Sequence, residues 1–124
     1  MSLALSVAAA LSGGAALAEE WKLHNGDRVL TPSELSALAD GGSLTFHDDG
    51  VSRFSAGGAY SYTYGNGGGT AFGNFEVMED GRVCIRFSNG FDRCDLYVRN
   101  GLRLILLTQK GERFPVKVEM GLRP

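Results

Sequence analysis

In the stretch Ala59-Tyr60-Ser61-Tyr62-Thr63-Tyr64, a phenol stands at every second position, so an extended strand presents Tyr60, Tyr62 and Tyr64 on one face. A row of rings with hydroxyl tips can stack on a sugar or an apolar ligand, and at a barrel mouth it would line a cavity. The run Gly65-Asn66-Gly67-Gly68-Gly69 follows directly and reads as a mobile loop, an adjustable rim to that site. Ordinary cross-strand packing is the competing use of the same rings.

The two cysteines, Cys84 and Cys94, flank a turn at Ser88-Asn89-Gly90. A two-residue Asn89-Gly90 turn would pair Ile85 with Cys94, gathering Val83, Ile85 and Phe87 on one face with Cys94, Leu96 and Val98. A three-residue loop with Gly90 left-handed instead sets Cys84 across from Cys94 and sends Leu96 and Val98 to the other face. The sequence predicts the second register, the disulfide, and an irregularity near Asp95 that turns Leu96 and Val98 back. Closing so short a loop is worth about 3 kcal/mol in the chain-entropy picture.

Other chemistries lack their parts. Neither His24 nor His47 has the close partners of a triad or a zinc site, and the Asp48-Asp49-Gly50 after His47 is turn chemistry. Glu76, Glu79 and Asp80 flank a glycine turn, and no nucleophile elbow or phosphate loop appears. The expectation is a non-enzyme with no catalytic residue, metal or cofactor. Charge is uneven: Glu19 to Asp80 carries ten acids against three bases, and Gly81 to Pro124 nine bases against four acids. An interaction surface of Arg82, Arg86, Arg93, Arg99 and Arg103 is therefore the rival to the tyrosine site, with a protein rather than a nucleic acid as partner.

These side chains need a scaffold, and the turns describe it. Thr31, Pro32 and Glu34 form the start of a short helix with a capping box, with Leu35, Leu38 and Ala39 on one face and Gly41-Gly42 as the exit. Strands are predicted over Ser43 to His47, Val51 to Ser55, Ala59 to Tyr64, Thr70 to Met78, Arg82 to Phe87, Phe91 to Arg99, Leu102 to Thr108 and Arg113 to Met120. Tight Gly turns favour sequential antiparallel pairing, hence a mainly β fold: a meander of about eight strands curled into a barrel or half-barrel, lipocalin-like, with one N-terminal helix. The run Leu102 to Thr108 is apolar on both faces, and the helix leucines are the expected cover of the outer one.

Residues 1–18 read as a signal peptide, uncharged from Leu3 to Leu17 and ending Ala16-Leu17-Ala18, which leaves residues 19–124 as one β-rich domain without a membrane span. At 44% apolar and 21% charged residues, the 124-residue chain has an ordinary globular balance. Paired cysteines suit a periplasmic or secreted setting. The order Leu30-Thr31-Pro32-Ser33-Glu34-Leu35, then Gly58-Ala59-Tyr60-Ser61-Tyr62, then Cys84 and Cys94-Asp95-Leu96-Tyr97-Val98 resembles a group of small exported proteins of alphaproteobacteria. That resemblance implies a periplasmic β-rich domain with a disulfide, and it carries no catalytic residues. The function expected is binding of a small apolar or sugar-like ligand.

Overall fold

The computed structural model describes residues 21–122, so the expected leader lies outside the described residues. A two-residue β1 (Arg28–Val29) precedes α1 (Pro32–Ala39), and eight strands follow: β2 (Ser43–Phe46), β3 (Val51–Phe54), β4 (Ala59–Thr63), β5 (Thr70–Val77), β6 (Val83–Phe87), β7 (Asp92–Asn100), β8 (Arg103–Leu107) and β9 (Arg113–Met120). Strands β2 to β9 run as an antiparallel meander, and β9 returns to β2, closing the barrel. Long β7 makes closure possible: Asp92 to Asp95 pair with β6, while Leu96 to Asn100 pair with β8.

The helix begins as its sequence dictates. Thr31 accepts from the Glu34 amide at 3.2 Å, and the Glu34 carboxylate accepts from the Thr31 amide at 2.9 Å. Leu35 and Leu38 are buried and join Leu30, Leu44, Phe54, Leu104 and Leu122, so the helix plugs one end of the barrel. Burying each such side chain contributes roughly 1.5–3 kcal/mol, which is where a two-turn helix finds its stability. The hairpins β2–β3, β4–β5, β6–β7 and β8–β9 all turn at the opposite end, which no helix among the described residues covers.

The loop Ser88-Asn89-Gly90 closes β6 onto β7 in the three-residue register, with Gly90 at φ 91° and the Phe87 amide donating to the Phe91 carbonyl at 2.8 Å. Cys84 faces Cys94 and the disulfide is formed. The irregularity expected near Asp95 is absent from the β6–β7 pairing, and the barrel's register shift lies instead between Thr45 and Phe46 against β9. Leu96 and Val98 stay on the outer face. They do not need to turn back, because Trp21, Leu23 and Val29 of the N-terminal arm cover them together with Ile105 and Leu107. The arm, not the expected helix leucines, is also the outer cover of β8, whose Leu104 and Leu106 point into the barrel. Asp27 anchors the arm, accepting two bonds from Arg113 (2.8 and 3.0 Å) and one from the Asn100 amide group (2.9 Å).

Candidate functional site

Alternation along β4 turns Tyr60 and Tyr62 into the barrel, and Tyr64 continues the row at the open end. Tyr60 is fully enclosed, its hydroxyl 2.9 Å from that of Ser52 and its ring edge-on to Phe54 and Phe87. Burial pushes its phenol upward in pKa. It belongs to the packed core beneath the site. Tyr62 and Tyr64 lie higher, T-shaped at 4.9 Å, and line a cavity of about 510 Å³ that opens between the uncovered hairpins. Phe46, Phe87, Leu106, Phe114 and Pro115 supply the rest of its apolar wall. The volume lies in the range of ordinary small-ligand sites.

Close backbone contacts hold the rim. A Cβ on Gly50 would strike the Tyr62 hydroxyl, and one on Gly65 would strike the Asp48 carbonyl, so the β2–β3 and β4–β5 turns touch where side chains would separate them. Within the glycine run, the Tyr64 amide donates to the Gly69 carbonyl at 3.0 Å and the Gly68 amide to Asn66 Oδ1 at 3.0 Å. His47 and Asp48 are exposed beside the opening. Burial, and then the Asp48 charge, raises the Tyr62 pKa.

The feature that sequence reasoning missed is the inward face of β7. In the observed register Arg93, Asp95 and Tyr97 all point into the barrel. Arg93 Nε donates to Asp95 Oδ2 at 2.9 Å, and the guanidinium carbon lies 5.8 Å over the Phe87 ring. Neither Nη group has a protein partner among the described residues, and Arg93 lines the cavity. Asp95 is almost completely buried, and desolvation raises its pKa against the pull of Arg93. The signal was present in the sequence: once Cys84 faces Cys94, position 93 must share the face of Ile85.

The arginines considered as an interaction surface are dispersed. Arg93 is internal, Arg99 is buried near the plugged end in a two-bond pair with Glu119 (2.7 and 2.9 Å), and Arg82 is held by Asp80. Of the five, only Arg86 and Arg103 are exposed. The disulfide lies on the outer face of the sheet, away from the cavity. The chain matches no protein-family model, no curated protein and no solved structure.

Proposed function

We propose that this protein is a non-enzymatic binding protein of the periplasm or cell exterior that holds a small, largely apolar ligand in the open mouth of its barrel. The observation that carries this reading is the asymmetry of the barrel. One end is plugged by α1, while the other opens on a cavity of about 510 Å³ walled by Tyr62, Tyr64 and further apolar side chains. Such a concave apolar site with few polar groups is the usual form of a small-molecule pocket. The disulfide favours an oxidising compartment, in keeping with export.

The test is titration with N-phenyl-1-naphthylamine, a neutral dye whose emission rises in apolar surroundings. Saturable binding of one dye per chain is expected. Tyr64→Ala and Tyr62→Leu should each weaken it about fivefold, the loss of an aromatic contact of roughly 1 kcal/mol. Absence of saturable binding, or indifference to both substitutions, would remove the reading. Native mass spectrometry of protein purified from its own compartment would then identify the natural occupant.

A further inference from the structure

Among the described residues the cavity contains one internal cation, Arg93, and its charge is already answered. Asp95 takes the Arg93 Nε bond from below and leaves both Nη groups as donors without protein partners among the described residues. Among the described residues the lining also carries Asp48, beside His47 and the two tyrosines, so Arg93, Asp95 and Asp48 together sum to a charge of −1. The free donors therefore belong to a site that is not positive. That combination favours an acceptor oxygen without a full negative charge.

The wall narrows the choice further. A sugar would set several hydroxyls against Phe46, Phe87, Leu106 and Phe114, with polar partners confined to Arg93, Tyr62, Tyr64, His47 and Asp48, since Thr108 Oγ1 is already engaged with Glu112 in both directions. Unpaired buried hydroxyls are costly, whereas an acyl chain has none to lose. The mouth also carries Tyr64 and Phe114, large rings about half exposed, along which a chain can leave the barrel.

We propose that the cavity takes a neutral acyl ligand, an ester or amide of a medium-length chain, with its carbonyl oxygen accepting from the Nη groups of Arg93, and that the Arg93–Asp95 pair discriminates against the corresponding free carboxylate. This rests on the mouth being a ligand site at all. It goes further in assigning the head group, its orientation and the residues that select it. Asp95 is the selecting residue because it cancels the charge that would otherwise hold a carboxylate in the bidentate manner of arginine.

The experiment displaces N-phenyl-1-naphthylamine with methyl decanoate or with decanoate, both below micelle-forming concentrations, at pH 7.5. An ester enters any apolar site more readily than an anion, so the decisive readout is the change in the affinity ratio on substitution. Asp95→Asn keeps an acceptor for Nε and leaves Arg93, more than a third exposed, without its paired carboxylate. The ratio should move at least tenfold toward decanoate. Asp48→Asn, on an exposed residue and keeping the Oδ1 acceptor for the Gly50 amide at 2.9 Å, should move it two- to threefold the same way. Arg93→Met in the Asp95→Asn background should weaken the ester about tenfold more than it weakens the dye.

A ratio unmoved in both Asp95→Asn and Asp48→Asn overturns the selection. So does a wild-type protein that binds decanoate as tightly as the ester, or one that binds the dye but neither decanoyl compound. Absence of dye binding is a different failure, and it removes the cavity reading itself.

Discussion

Cys94 stands directly across from Cys84, Cα atoms 3.9 Å apart, and that pairing decides the face on which every later residue of β7 lies. It sends Arg93, Asp95 and Tyr97 into the barrel and Leu96 and Val98 out to the arm. Because the bond joins residues 10 apart, removing it by Cys84→Ser with Cys94→Ser should lower stability by about 3 kcal/mol, read as a lower urea midpoint. Dye binding in the mouth should survive, since the bond lies outside the cavity. A double variant as stable as wild type would mean that the hairpin holds its register without the staple.

Asp27 contributes stability that depends on acid. The Arg113 bonds hold its carboxyl well below the usual carboxylate range, with Asn100 and the His24 amide acting in the same direction. A carboxyl whose pKa is depressed by folding stabilises above its unfolded value, near 3.8, and loses that contribution as pH falls through the folded value. Urea midpoints measured from pH 6 downward should therefore fall below about pH 4 in the wild type. Asp27→Asn should cost about 2 kcal/mol at neutral pH and show a shallower decline, because part of the loss is already taken. Parallel profiles for the two proteins would contradict this account.

Trp21 is the single tryptophan, almost wholly buried against Leu96, Val98, Ile105 and Leu107, and it reports on the arm. With β1 paired to β7 and Asp27 bound to Arg113, the arm should leave only when the barrel opens. Tryptophan emission and far-ultraviolet dichroism are expected to change together in urea. Trp21→Ala should destabilise by roughly 3 kcal/mol through the cavity left on the outer face, with dye binding retained. Emission that shifts well before the dichroism would show an arm that peels away on its own.

Much of this fold is legible in the residues. The capping box at Thr31 and Glu34, the glycine turns and the alternation in β4 each report local geometry, and local rules suffice for helix, hairpins and meander. What failed was assigning sides on β7. Polarity places Leu96 and Val98 inside and Arg93 outside, and the disulfide register reverses both. The reversal is stable only because Trp21, Leu23 and Val29, distant in sequence and without periodic pattern, arrive to cover the outer face. The tyrosine row was visible at once. Its division into a core residue, Tyr60, and two cavity residues, Tyr62 and Tyr64, depends on how deep the interior is filled, which alternation does not encode.

Gly73 sits between the wall of the cavity and the core. On β5 it pairs with Tyr60 on one side and Phe87 on the other, and the two rings meet edge-on at 5.9 Å beside it. A Cβ here would strike the Arg86 carbonyl oxygen and lie 3.0 Å from Phe87 Cα, both parts of the β6 backbone that cannot swing aside. Gly73→Ala should therefore force β5 from β6 and cost about 2–3 kcal/mol, with dye binding weakened because Phe87 lines the cavity. Gly57→Ala is the matched control. It has φ 96° and nothing within 4 Å of the added carbon, at the plugged end of the barrel, so it should lose only about 1 kcal/mol of backbone strain and leave binding intact. Equal urea midpoints and equal dye affinities for the two variants would mean that β6 yields to the extra methyl group, and that the close approach at Gly73 does not shape the wall.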